Sequence, residues 1–357
     1  MSNVRKSLAG LIVLAGMCTA ASLPAQQTGG EVPNWKGPNG PVDLGLQDPI
    51  LIGALDLHTH LDPDMSGGGQ AARAMDVIDM ARHAKARGMR GFTYKTHMDV
   101  SSAASAYLAR KEVPGVEVFG RYAMNLTTGG LNPASVMQFV SIKGGWGRIV
   151  EFPTRDVRPP QQENRPWVMP WRSLFPDRPS YVEVVKDGEL TDDAKAILAL
   201  VAGLKTVGSN GTVAIATGHA SPEGHVLIVR EARRLGIPTL VTHPGDNVSD
   251  AQYQEMKDLG AFIEVNLDFY QEGDDFDAKL AFALKQIERL GAESIVMGTD
   301  CGQLNNPLPG DCIVLCARAL RAHGVTEQQL DMMIKENPAR LLGLPMPNST
   351  ALASMSR

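Results

Sequence analysis

The chain has 357 residues, of which 43% are hydrophobic and 20% charged, with a formal net charge of −5. That apolar share supports a large buried core and excludes a disordered chain, while the length suits one α/β barrel with an insertion. The acidic excess is small and dispersed, with no Lys/Arg block, so nucleic acid and anionic membrane surfaces are not expected partners.

Residues 1–25 read as a secretory signal peptide. Arg5 and Lys6 supply its positive region, residues 8–21 are apolar but too short to span a bilayer, and Ala20, Ala21, Ser22 and Ala25 lead to a cleavage site before Gln26. Cys18 suggests a lipoprotein signal, but Met17 stands where a small residue is wanted. With no later membrane span expected, the protein should be exported, to the periplasm or beyond. Residues 26–48, rich in Gly, Pro and Gln, read as an irregular N-terminal arm.

From 49 to 345 the chain keeps a regular beat. Strand-like runs fall near 51–57, 91–96, 116–123, 147–153, 212–218, 238–242, 261–267 and 294–299. Helical patterns alternate with them near 71–87, 101–112, 133–143, 192–206, 222–235, 249–259, 277–290 and 310–322. Eight such units predict a parallel sheet closed as a (β/α)8 TIM barrel. Helix starts are marked by Thr191, by Ser221-Pro222-Glu223, and by the capping-box pairs Ser249/Gln252 and Thr326/Gln329.

Residues 155–190 break the beat after the fourth strand. Their prolines (Pro159, Pro160, Pro166, Pro170, Pro176, Pro179), with Trp167, Trp171 and Phe175, predict an insertion that is either a lid or a structural pad. Residues 346–357 read as a flexible tail. Past the signal the cysteines are Cys301, Cys312 and Cys316, an odd count in one short region, which predicts packed thiols rather than a disulfide framework.

Chemistry-bearing side chains end several of the apolar runs. His58 and His60 in DLHTH lie two apart, so in a strand they share a face and can hold a divalent metal through neutral nitrogens. His219 in ATGHAS and His243 in VTHPG stand at corresponding strand ends, and Asp300 closes the set in GTDCG. Burying that carboxylate without a partner or metal would be costly. Glu151 sits within the fourth strand, where it either bridges two metals or faces a helix. Lys95 and His97 form a second pair two apart, suited to substrate binding or to extra ligation, Lys95 as a bridge if carbamylated. Asp56 and Asp62 are candidate acceptors for the ligating imidazoles, and Arg121 and Arg155 are candidate anion hooks or else surface or ion-pair residues.

These residues, with Asn337-Pro338-Ala339-Arg340-Leu341-Leu342-Gly343 near the end, resemble the amidohydrolase superfamily of metal-dependent hydrolases, over most of 50–344. The resemblance implies that His58 and His60 bind the more buried of one or two ions, zinc first among them. It further implies that the fourth-strand acid lies between two metals, that His219 and His243 hold the second, and that Asp300 handles protons. Glu151 stands where a lysine is usual, and the Lys95/His97 pair is extra, which points to a poorly characterised branch. The expected activity is cleavage of a C–N or C–O bond in a small substrate (amide, lactone or ester) by a metal-activated water. DLHTH also resembles metal phosphoesterases of the polymerase-and-histidinol-phosphatase type. A metal-dependent decarboxylase and a non-catalytic metal-binding protein are the remaining alternatives. Nothing in the sequence sets the oligomeric state.

Overall fold

A computed structural model of the protein describes residues 43–64, 73–97, 99–158, 180–204, 212–266, 275–304 and 306–346. The expected signal peptide, most of the arm, the tail beyond 346 and the Pro/Trp-rich part of the insertion lie outside them.

Eight parallel strands follow in chain order, each but the first and last flanked by its two neighbours in register. They are β1 (Leu55–Thr59), β2 (Gly91–Thr96), β3 (Glu117–Ala123), β4 (Gly147–Glu151), β7 (Ala214–Ala216), β8 (Thr239–Val241), β9 (Phe262–Asn266) and β10 (Ile295–Gly298). Between β4 and β7 a two-stranded antiparallel hairpin, β5 (Val185–Lys186) and β6 (Glu189–Leu190), is all the added sheet among the described residues of the insertion. β10 meets β1 through His60 N–Cys301 O and Asp300 N–His58 O hydrogen bonds, both 2.9 Å, so the sheet curls round into a nearly closed barrel. Gly298 permits that seam, because a Cβ there would lie 2.8 Å from His58 Cβ.

Helices α1 (Val77–Ala86), α2 (Ser102–Glu112), α3 (Pro133–Val140), α4 (Asp192–Gly203), α5 (Pro222–Leu235), α6 (Asp250–Asp258), α7 (Phe276–Leu290) and α8 (Pro309–Ala322) intervene between strands or follow β10. Their starts obey local chemistry. Ser221 Oγ accepts from Gly224 N with Pro222 at the first helical position, and Ser249 with Gln252 closes a reciprocal box. No helix among the described residues is long and apolar enough to cross a membrane.

The first strand starts later than its apolar run, since Asp48 caps a short 3₁₀ turn over Pro49–Leu51 that consumes it. The strands are buried on both faces, as a helix-wrapped parallel sheet requires. Leu55, Leu57, Phe119, Ile149, Ala214, Ala216, Leu240 and Val296 cluster as one apolar layer, closed beneath by Leu341 and Leu342. Those two belong to the NPARLLG segment, whose Asn337 Nδ2 donates to Ala292 O and Ile295 O at 2.7 and 2.6 Å. Two residues further along the strands, the same faces carry Arg121, Glu151, Thr242 and Gly298 in place of Phe119, Ile149, Leu240 and Val296. A polar layer therefore overlies the apolar one.

One sequence expectation needs correcting, the packed thiols, and one strand departs from strict alternation. Leu55 and Leu57 share the interior with His58 and His60. The β1–β2 register shifts between Asp56 and Thr59, and this irregularity re-aims the histidines. Cys301 and Cys312 are joined by a disulfide, and Cys316 is a buried thiol outside that bridge. Parity failed as a guide because α8 folds Cys312 back against the residue that follows Asp300.

Candidate metal centre

The candidate histidines, Lys95, Arg121, Glu151, Arg155 and Asp300 stand in the C-terminal part of a barrel strand or past its end, whereas Asp56 lies near the start of β1. His58 Nε2 and His60 Nε2 both approach Asp300 Oδ1, at 3.3 and 2.7 Å. His58 is fully buried and His60 nearly so, while the Asp300 side chain keeps one-fifth of its surface in the mouth. Asp300 itself has φ of 53°, a left-handed conformation uncommon outside glycine, and is held there by the seam hydrogen bond to His58 O. Its other oxygen accepts from Asn266 Nδ2 at 2.9 Å. The rings of His58 and His243 lie 5.4 Å apart, those of His243 and His219 5.0 Å, and those of His60 and His97 4.9 Å and nearly parallel.

Among the described residues, two groups of side chains offer ligand atoms within 4.8 Å of one another: His58, His60 and Asp300, and His58, His243 and Glu264. His219 and Glu151 lie outside both groups. Glu151 faces the interior, where Arg121 Nε and Nη2 hold its two oxygens at 3.1 and 2.6 Å, with Thr242 Oγ1 at 3.0 Å and Lys95 Nζ at 3.3 Å. Lys95 Nζ also lies 3.1 Å from His58 Nε2, so the second-strand pair does face the barrel interior.

Arg121 is fully buried and occupied within the barrel. Besides Glu151 it donates to Glu264 Oε1 (2.9 Å) and to Leu57 O (2.9 Å), the carbonyl at the β1 irregularity. The expected anion hook is thus an internal clamp. Arg155 sits at the mouth, its Nη2 3.5 Å from His97 Nε2, and is half-buried. His97 Nδ1 pairs with Thr154 Oγ1 at 2.9 Å.

The carboxylates expected behind the histidines serve elsewhere. Asp56 accepts from Thr299 N, Thr299 Oγ1 and His58 N, which ties the β1–β10 seam; burial outweighs these bonds and pushes its pKa up to about 7. Asp62 exchanges backbone bonds with Met75 and Val77. The acid beside His58 Nδ1 is Glu264, at 3.2 Å. It was readable by the rule that singled out Glu151, a lone carboxylate inside an apolar run. Asn125 carried no such signal. Its Oδ1 accepts from the amides of Thr154, Arg155 and Asp156, and its Nδ2 donates to His97 O, so one side chain sets the rim after β4.

Burial holds His58 and His97 well below the usual imidazole range, helped by Lys95 beside the first and Arg155 beside the second. Burial takes His60 down to about 3 against the opposing bond to Asp300. Burial would raise Asp300, but its imidazole neighbours hold it well below the carboxylate range. Neutral imidazoles and an ionised carboxylate are the donor set a divalent cation takes. The buried Nδ1 atoms of His58 and His60 make no aligned hydrogen bond, although Glu264 Oε1 lies 3.2 Å from the first. The set fits a cation held by His58, His60 and Asp300.

Barrel and mouth together define a TIM-barrel protein of the kind whose chemistry sits at the strand C-termini. The chain belongs to a family of unknown function, DUF6282, whose model matches residues 53–264. No curated protein matches it. Among solved structures, an organophosphorus hydrolase from Deinococcus radiodurans is similar with a TM-score of 0.53 at 14% identity, covering 83% of this chain and 94% of that one. A protein from the molecular engineering of organophosphate hydrolysis activity from a weak promiscuous lactonase template is similar with a TM-score of 0.51 at 15% identity, covering 84% and 98%. These likenesses establish the barrel fold.

Proposed function

We propose that the protein is a metal-dependent hydrolase that cleaves an ester, lactone or amide bond in a small substrate. The observation that carries this reading is the meeting of the His58 and His60 imidazoles on one oxygen of Asp300 at the barrel mouth. A divalent cation there, zinc first among candidates, supplies Lewis-acid polarisation of a substrate oxygen and acidifies a water. Asp300 is placed to take a proton and return it to the leaving group, since Asn266 orients its second oxygen while its side chain remains partly open. His97 and Arg155, fixed by Thr154 and Asn125, are placed to steady charge that develops on the substrate. His219 and His243 would contribute to a second ion site, with Lys95 as the bridge if carbamylated, while Glu151 is held by Arg121.

Two clefts flank the group, one of about 300 Å³ reaching His219 and one of about 320 Å³ reaching His243, Glu264 and Asn266. They suit a small molecule with arms on either side of the scissile bond. Phosphotriester hydrolysis is the second reading, favoured by the organophosphorus hydrolase among the structural neighbours. Export is part of the proposal, and the Cys301–Cys312 disulfide supports it, because such bonds persist in oxidising compartments.

Metal analysis of the purified protein, paired with turnover assays on ester, lactone, amide and phosphotriester panels, tests the reading. We expect a bound divalent ion, turnover on at least one panel, and an Asp300→Asn variant that keeps its fold and loses turnover. Bound metal without turnover on any panel would move the assignment to a binding protein.

A further inference from the structure

His58 is the residue shared by both ligand-capable groups, and its two nitrogens meet different chemistry. Nδ1 faces Glu264 Oε1 at 3.2 Å, while Nε2 faces Lys95 Nζ at 3.1 Å and Asp300 Oδ1 at 3.3 Å. Glu264 cannot easily turn elsewhere. It is 1% exposed, and Arg121 Nη1 and Nη2 hold its two oxygens at 2.9 and 3.4 Å. Arg121 is itself fixed by Glu151 and by Leu57 O.

We propose that Glu264, clamped by Arg121, is a positioning residue that keeps the His58 proton on Nδ1 and so leaves Nε2 as the lone pair offered to the cation. The proposal rests on the metal-dependent reading above and adds a residue from the seventh barrel strand, β9.

A neutral imidazole carries one N–H, and its neighbours decide which nitrogen bears it. A carboxylate can only accept, so Glu264 favours the proton on Nδ1. A lysine amine donates, so Lys95 favours a bare Nε2. Asp300 Oδ1 is an acceptor facing Nε2, but it lies closer to His60 Nε2. Direct ligation by Glu264 Oε1 is disfavoured, because the Arg121 guanidinium occupies that same oxygen and would repel a second positive charge at hydrogen-bond range. A carboxylate behind a ligating histidine fixes its tautomer and raises its basicity. The clamp extends that logic one residue further, since a carboxylate gripped by Arg121 cannot swing into the mouth as a ligand.

The test reads the tautomer before it reads metal. Long-range ¹H–¹⁵N imidazole spectra of the full-length, metal-free protein at pH 7.5, with His58 assigned by its loss in His58→Gln, should show the proton on Nδ1. In Glu264→Leu the population should move toward Nε2, and the Kd for Co²⁺, measured by calorimetry, should rise about 10–100-fold with the circular dichroism spectrum retained. If Glu264→Leu does not fold, Glu264→Gln, which can still bond Arg121, carries the same test with a smaller shift. An unchanged tautomer with Co²⁺ affinity kept within about threefold would overturn the proposal. An unchanged tautomer with Co²⁺ binding abolished would overturn it too, by making Glu264 a direct ligand. A wild-type protein that binds no Co²⁺ would instead sink the metal reading, while the tautomer shift still decides whether Glu264 orients His58.

Discussion

Replacing Arg121 by methionine separates an internal clamp from a substrate hook. Its guanidinium faces the carboxylates of Glu151 and Glu264 at 2.6 and 2.9 Å, and all three side chains are fully buried. Arg121→Met keeps the apolar stem of the residue and leaves two carboxylates in the interior, with Lys95 Nζ 3.3 Å from Glu151. Removing one partner of a buried pair costs roughly 3–5 kcal/mol, because the charge left behind is uncompensated. A whole domain has only about 5–15 kcal/mol of stability. Taking about 4 kcal/mol at roughly 2–4 °C per kcal/mol, the melting temperature should fall by about 8–16 °C. Urea unfolding followed by circular dichroism measures the loss directly. Neutralising the stranded acids as well, in Arg121→Met/Glu151→Gln/Glu264→Gln, should recover at least half of it. A single variant as stable as the wild type to within about 1 kcal/mol, but with a raised KM, would show that Arg121 binds substrate and that the clamp is wrong.

Other outcomes follow from the same geometry. Gly298→Ala places a Cβ 2.8 Å from His58 Cβ at the seam, so it should cost about 1–3 kcal/mol in urea unfolding and weaken Co²⁺ binding; an unaffected variant would mean that β10 can shift freely against β1. His225, on α5 and buried against Thr217, is held by burial at about 3, whereas an unfolded histidine titrates at about 6.5. Between those values the unfolded chain binds a proton that the native chain refuses. Stability should therefore fall with acidification below pH 6.5, by roughly 1.4 kcal/mol per pH unit from this group. His225→Gln should flatten the slope of unfolding free energy against pH, and an unchanged slope would count against a neutral buried ring. Peptide mapping of exported protein under non-reducing conditions should recover Cys301 linked to Cys312 with Cys316 outside that bridge, and any other pairing would contradict the seam described here.

The barrel could be read from the chain because its strands are short apolar runs separated by capped helices, and such local signals survive folding. The ends of those runs also named the mouth, since a polar residue closing a buried strand needs a reason to be there. What escaped is set by contacts across the barrel. Glu264 was visible as a lone acid in an apolar run, but its meaning depends on His58 and Arg121, which lie on other strands. Arg121 read equally as an anion hook or an ion-pair residue because nothing local shows that two carboxylates from β4 and β9 converge on it. Asp56 was named as an acceptor for the ligating imidazoles, whereas its carboxylate ties the seam through Thr299. Asn125 and the Cys301–Cys312 bridge are tertiary facts, set by how a loop and a helix return to the rim.

The central claim is that His58, His60 and Asp300 hold one cation at the mouth of the barrel. Crystals grown with Zn²⁺ or Co²⁺ and measured on both sides of the metal absorption edge test it most directly. The account predicts an anomalous peak about 2.0–2.2 Å from the nitrogens of both histidines and from an Asp300 oxygen, with Glu264 still paired to Arg121. A peak at another cluster, or none at saturating metal with the three side chains arranged as described, would contradict it.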